Sequence, residues 1–136
     1  MTVLARRIIL AFAVALCLGP AAVAQELDCR DPETQVDMTA CAVADFEAAD
    51  KALNAQWKIT RKVVAERDAA SGAASKGAEQ ALLKAQRAWI DHLEKQCEDE
   101  ATSEPDGSMY GMEMSTCRAN LTRARTQQLK SVAQQP

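Results

Sequence analysis

Four cysteines beyond the first two dozen residues could form disulfides: Cys29, Cys41, Cys97 and Cys117. A fifth, Cys17, lies in an apolar run near the amino terminus. An even set of cysteines in a small exported protein indicates a disulfide framework, because disulfides persist in oxidising compartments. The chemistry of these thiols therefore depends on whether the chain is exported.

The first residues have the organisation of a secretory signal peptide. Two arginines precede the apolar run 8–18, and the small residues 22–24 form an A-x-A cleavage site. The run is short for a membrane span and is followed at once by Gly-Pro. We predict that residues 1–24 are a signal peptide, whose removal takes Cys17 with it. The remaining domain, residues 25–136, would then be periplasmic or secreted, without a membrane anchor.

A second candidate for chemistry is the group of thioethers at Met109, Met112 and Met114. Soft sulfur ligands select Cu(I), and three of them within six residues suggest a copper-binding module. The alternative is that these side chains cover an open end of the fold, because methionine fills irregular apolar space. We favour the second interpretation and predict no metal site and no cofactor.

Catalytic chemistry has little support in the sequence. His92 is the only histidine, and no serine or cysteine nucleophile stands beside it in the sequence. Carboxylates are numerous, but no pair stands out as a general acid and base. We therefore predict that the protein is not an enzyme.

The charge of the chain limits its partners. It has 16 Lys and Arg against 19 Asp and Glu, a net charge of −3, which disfavours nucleic-acid binding through phosphate neutralisation. The same charge favours encounter with a cationic protein. An acidic cluster precedes the methionine segment: Glu94, Glu98, Asp99, Glu100, Glu104 and Asp106. Such a run is usually solvated surface, and the competing interpretation is an electrostatic platform for a basic partner.

Three amphipathic helices must position these residues. Helix-forming residues dominate and no strand-like alternation is visible. A first helix begins near residues 32–35, where Thr34 is a candidate N-cap, and breaks occur at 69–77 and 104–108. Short connections make neighbouring helices antiparallel, so we predict an all-α, up-down-up three-helix bundle. The apolar stripe predicted for the third helix is Met114, Cys117, Leu121, Ala124 and Gln128.

The same register brings all four remaining cysteines to one end of the bundle, so topology alone excludes none of the possible pairings. We favour Cys29–Cys41, because the segment before the first helix can fold back onto it. We also favour Cys97–Cys117, because that bridge would clasp the loop between the second and third helices.

Asp50 interrupts the apolar stripe of the first helix. A buried carboxylate without a partner is expensive, and the register places Arg118 level with Asp50 and Arg125 about two turns away. We therefore predict a structural ion pair between Asp50 and one of these arginines, in preference to a functional carboxylate.

Short motifs around the cysteines occur in order along most of the chain. They are Asp28-Cys29, residues 34–42 (TQVDMTACA), residues 49–54 (ADKALN) with Trp57, residues 85–90 (AQRAWI) with Cys97, Gly107-Ser108, Cys117, and Leu121-Thr122 with Arg125. With these motifs the chain resembles the LprI-like family of secreted lysozyme-inhibitor domains. Trp57 stands where the family tends to have tyrosine, which preserves an aromatic anchor.

The resemblance implies a small helical exported domain that inhibits lysozyme. Inhibition requires no catalytic group, only a rigid surface that occludes the sugar-binding cleft, and a disulfide-held loop is ordered before it binds. The predicted partner-binding residues are Glu98, Asp99, Glu100, Asp106, Met109 and Tyr110. The alternatives are an accessory envelope protein with another periplasmic partner and the Cu(I)-binding module.

Overall fold

The computed structural model describes residues 27–72 and 77–135, and within these ranges the chain forms three helices and no strand. They are α1 (Gln35–Ala70), α2 (Ala78–Glu100) and α3 (Tyr110–Gln134). The predicted all-α architecture is confirmed. No helix of the described part has the length and apolarity that crossing a bilayer requires. The signal peptide predicted for residues 1–24, including Cys17, lies outside the described residues.

The predicted cap begins α1. Thr34 has an extended backbone, and its hydroxyl oxygen accepts a hydrogen bond from the Asp37 backbone N–H at 3.1 Å. Asp37 also places a negative charge in the first turn, where the helix dipole favours it. From this start α1 continues unbroken for 36 residues, or about 54 Å.

Contacts between helices establish their directions. Gln35 lies near Met112, Asp45 pairs with Arg123, and the Thr60 hydroxyl donates to the Leu129 carbonyl, so positions on α1 and α3 increase together. These two helices are therefore parallel. Arg61 pairs with Glu79 near the start of α2, which runs antiparallel to both. The predicted up-down-up order is confirmed, and α1 packs along α3 far more extensively than either packs on α2.

The face that α3 buries against α1 differs from the predicted stripe. Small and hydroxylated residues form this face at alternating steps of four and three: Ser115, Ala119, Thr122, Thr126 and Leu129. Met114 from the predicted stripe is buried and Cys117 and Leu121 are half-buried, all three in the cluster shared with α2, whereas Ala124 and Gln128 are exposed. The stripe prediction was wrong because it followed apolar residues, whereas three of the five residues of this seam are polar by type. The hydroxyl of one of them, Thr126, donates to the Thr122 carbonyl at 2.9 Å.

The last turn of α1 closes one end of the bundle. The Asp68 carboxylate accepts hydrogen bonds from the backbone N–H groups at Gly77, Ala78 and Glu79 (2.9–3.2 Å), so it caps α2 from a distance. The neighbouring Arg67 donates to the Val132 and Ala133 carbonyls at the end of α3. Gly77 has a φ of +115°, a conformation that favours glycine.

Candidate protein-binding surface

Both disulfides lie at the opposite end of the bundle, in the predicted pairing. Cys29 is joined to Cys41, which ties the segment before α1 to the second turn of that helix. Cys97 is joined to Cys117, which ties the last turn of α2 to α3. We call residues 27–45 and 94–118 the clamped end. Its base is the cluster of Leu93, Cys97 and Met114, with Tyr110 and Cys117 packed against it from the clamped end and Trp89 and Leu121 from the adjoining turns of α2 and α3.

A carboxylate at the start of α3 fixes the loop between α2 and α3. Glu113 accepts hydrogen bonds from the backbone N–H and the hydroxyl of both Thr102 and Ser103, each at 3.0 Å. The backbone N–H of Ser103 is the largest of the influences that lower the pKa of Glu113. The carboxylate therefore stays ionised and holds the loop well below neutral pH.

The tip of the same loop is a tight turn over residues 104–107. The Gly107 backbone N–H donates to the Glu104 carbonyl at 2.7 Å, and Pro105 occupies the second position, as a type I turn prefers. A Cβ on Gly107 would lie 2.9 Å from the Glu104 carbonyl oxygen, so this position requires glycine. The turn projects Asp106 into solvent.

Five of the six predicted partner-binding residues lie on the exposed surface of the clamped end: Glu98, Asp99, Glu100, Asp106 and Met109. The Gln96 side-chain amide donates to Glu100 at 2.7 Å. Met109 is 44 % exposed. Tyr110 is half-buried against the Leu93–Cys97–Met114 cluster, so it supports the surface from beneath and is only partly available to a partner.

The acidic residues at the end of α2 oppose the helix dipole. Glu98, Asp99 and Glu100 occupy the last turn, where the dipole is negative, and that turn has no basic residue. An exposed charge of the wrong sign at a helix terminus generally costs about 0.3–1 kcal/mol. Local stability therefore does not explain why carboxylates occupy these positions.

A second acidic segment at the clamped end was missed by the sequence analysis. Asp28, Asp31, Glu33 and Asp37 line a concavity before and along the first turn of α1, together with Leu27, Pro32 and Thr34. The backbone N–H and the guanidinium of Arg30 lower the pKa of Asp28. The sequence does carry a signal for this segment, since residues 28–37 contain four carboxylates against one arginine.

The predicted ion pair of Asp50 is not formed. Asp50 instead accepts a hydrogen bond from the Asn54 side-chain amide at 2.8 Å. The two candidate arginines contact α2: Arg118 pairs with Glu94, and Arg125 donates to Gln86 at 2.9 Å. The prediction was wrong because both arginines lie on the side of α3 that faces α2. The α3 arginine that reaches α1 is Arg123, which pairs with Asp45 at 2.9 Å.

Arg125 also contacts an aromatic ring. Its guanidinium carbon lies 5.8 Å from the centroid of the Trp89 ring, a cation–π distance. Burial lowers the pKa of Arg125, which still remains a cation at neutral pH. This arginine therefore joins α2 to α3 without Asp50.

The three thioethers of the methionine segment lie in different surroundings. Met114 is buried against Leu93 and Cys97, Met112 lies 3.8 Å from the side-chain amide of Gln35, and Met109 is exposed. Within the described ranges, no group of histidine, cysteine and carboxylate side chains is arranged to hold a metal ion. Burial of Met114 agrees with the interpretation that methionine fills space at this end.

Comparison with known proteins identifies the family. A family model described as "Lysozyme inhibitor LprI" matches residues 28–129, which include both disulfides and all three helices up to Leu129. The chain belongs to the LprI family. A relative from Rhizobium meliloti (strain 1021), described as "Uncharacterized protein R02472", is 42% identical over 120 residues, covering 85% of this chain and 86% of the relative. No solved structure matches.

Proposed function

We propose that this LprI-family protein is an exported lysozyme inhibitor that acts by occluding the lysozyme cleft with its clamped end. Membership of an inhibitor family supports the activity. Occlusion of a cleft requires no catalytic group. The observation that carries the choice of surface is the cluster of unfavourable carboxylates on the last turn of α2. Residues that lower local stability commonly mark functional sites, and these would meet a basic protein such as lysozyme.

The disulfides support both the location and the mechanism. Two bridges fit an oxidising compartment, and with the predicted signal peptide they support a periplasmic or secreted protein. The Cys97–Cys117 bridge and Glu113 hold the loop between α2 and α3 in one conformation. A surface ordered before binding loses less conformational entropy when it docks.

A turbidity assay tests the activity directly. Purified residues 25–136 should slow the lysis of bacterial cell walls by at least one of a panel of c-type, g-type and i-type lysozymes. The same protein with Glu98, Asp99 and Glu100 all changed to lysine should inhibit more weakly. Failure of the wild-type protein to slow any lysozyme would overturn the proposal and favour an accessory protein with another envelope partner.

A further inference from the structure

Exposed apolar side chains concentrate at the clamped end. Six large apolar residues are exposed in the described part of the chain, and four of them belong to this end: Leu27, Val36, Val43 and Met109. The other two, Ile59 and Ile90, lie on the bodies of α1 and α2. Val36 is 77% exposed although it stands in the first turn of α1, where a polar side chain would cost nothing.

Val36 forms one wall of a shallow groove between α1 and the residues that precede α3. Gln35, Val36, Thr39 and Ala40 line it from α1, and Ser108 lines it from the loop. The polar atoms on the α1 side already have partners, because the Thr39 hydroxyl donates to the Gln35 carbonyl at 2.9 Å and accepts from the Gln35 amide at 3.3 Å. What the groove offers a partner is therefore mainly methyl groups.

Both walls of this groove are held in place. Cys41, which follows Ala40, is bridged to Cys29, and the loop that carries Ser108 is fixed by its turn and by Glu113. A rigid apolar groove requires little ordering when a partner enters it. Such a groove has the properties expected of the centre of a protein contact.

Carboxylates stand close in sequence to the residues of both groove walls, and their charge favours a cationic partner. Glu33 and Asp37 flank Val36 on the α1 side, and Glu104 and Asp106 precede Ser108 on the loop side. The loop segment 98–106 has no basic residue. An apolar groove with carboxylates close to it in sequence is complementary to a cationic protein that presents an apolar side chain among basic ones. It disfavours an anionic lipid surface, which the same carboxylates would repel.

We propose that the groove of Val36, Ala40 and Ser108 is the apolar centre of the surface that binds a cationic protein. The partner is lysozyme, so the assignment rests on the proposed function. It moves the centre of the contact from the last turn of α2 to the first turns of α1. The carboxylates of α2 then lie outside this centre and attract the partner over a distance.

Substitutions of Val36 test this assignment. Val36→Ser should raise the Kd for an inhibited lysozyme by about 5- to 30-fold, the range for an apolar residue at a contact centre, chiefly through faster dissociation. Val36→Lys should raise it further, because it adds a like charge. The matched control is Ile59→Lys, which alters an apolar residue of the same helix that is 55% exposed and lies outside the clamped end. Binding is measured by surface-attached kinetics, and melting curves check that each variant is folded.

Each outcome decides something distinct. Unchanged binding by folded Val36→Lys protein would overturn the groove assignment and leave lysozyme inhibition standing. A wild-type dimer in sedimentation that Val36→Lys dissociates would assign the groove to a second copy of the chain and also overturn it. If the wild-type protein binds none of the c-type, g-type and i-type lysozymes, both the proposed function and this assignment fail.

Discussion

Two single carboxylates hold the connections between the helices. The Asp68 carboxylate caps α2 by accepting hydrogen bonds from three backbone N–H groups at its start. Glu113 accepts four hydrogen bonds from Thr102 and Ser103. Hydrogen bonding to the backbone N–H of Glu79 leads the influences that lower the pKa of Asp68, as the Ser103 N–H does for Glu113. Both residues therefore make the fold sensitive to acid.

We expect Glu113→Gln to flatten the dependence of stability on acid pH. The pKa of Glu113 is lower in the folded protein than its ordinary value of 4.5, so ionisation favours folding. This contribution is complete above that value and is lost as the pH falls through the folded pKa. Melting temperatures between pH 7 and pH 2.5 measure it, with the exposed Glu47→Gln as the control. Wild-type and Glu113→Gln curves of the same shape would contradict the role of Glu113.

Substitutions of Asp50 and Arg125 should differ in their effect on stability. Asp50→Ala removes a partly exposed bond to Asn54 and should change the free energy of unfolding by no more than about 0.5 kcal/mol. Arg125→Ala leaves the buried Gln86 without its partner and should cost about 1–3 kcal/mol. Urea denaturation of both variants gives the comparison. A larger loss for Asp50→Ala would show that its carboxylate has a buried cationic partner after all.

At the scale of the elements, the parallel pair of α1 and α3 is the main structural unit. Its seam buries Ala49, Leu53, Thr60 and Val64 of α1 against a face of small residues on α3. Thr60 is fully buried, and its hydroxyl donates to the Leu129 carbonyl and accepts from Gln56. Small side chains allow close approach of the helices, and α2 then adds to this pair through bulkier residues such as Trp89 and Leu93.

Enlarging a residue in this seam should destabilise the protein. Ala119 is fully buried, so Ala119→Leu should lower the free energy of unfolding by about 1–3 kcal/mol through overpacking. Ala124→Leu makes the same change at an exposed position of the same helix and should be within about 0.5 kcal/mol of the wild type. Equal urea midpoints for the two variants would mean that α3 does not pack closely on α1.

The sequence predicted these elements better than it predicted the faces they bury. Caps, breaks and helix-forming residues define three helices, and the positions of the four cysteines favoured the correct disulfides. The α3 seam was missed because Ser115, Thr122 and Thr126 are polar by type although they are buried. The Asp50 ion pair was predicted wrongly because counting residues along two helices gives the height of each side chain along the bundle. It does not give the rotation of each helix about its own axis. The groove joins Val36 to Ser108, residues far apart in sequence that no local pattern connects.

Charge is unevenly distributed over the whole molecule. The clamped end carries both acidic segments, whereas acidic and basic residues nearly balance on the bodies of α1 and α2. The last 17 described residues of α3 and its terminus, 119–135, contain Arg123, Arg125 and Lys130 and no carboxylate side chain. An asymmetric charge distribution orients a protein in the field of an approaching partner. A cationic lysozyme should therefore meet the clamped end first.

Neutralising the α2 terminus should separate stability from binding. Glu98→Gln with Asp99→Asn removes charges that oppose the helix dipole, so the melting temperature should rise slightly. The same variant should associate more slowly with lysozyme, and the difference should shrink in high salt, since exposed charges are screened beyond about 8 Å at physiological ionic strength. Kinetic binding at two salt concentrations checks this. A lower melting temperature, or a difference in rate that salt does not alter, would contradict it.

The adjacent residues Arg67 and Asp68 make the end of the bundle remote from the disulfides a single cooperative unit. Fraying of the last turn of α1 would release the first amides of α2 and the last carbonyls of α3 in the same event. Amide hydrogens at Gly77, Ala78 and Glu79 should therefore exchange with solvent at the rate set by this shared opening, and not one residue at a time. Because no covalent bridge of the described chain lies there, this end should open independently of the disulfide-bonded surface that we propose for binding.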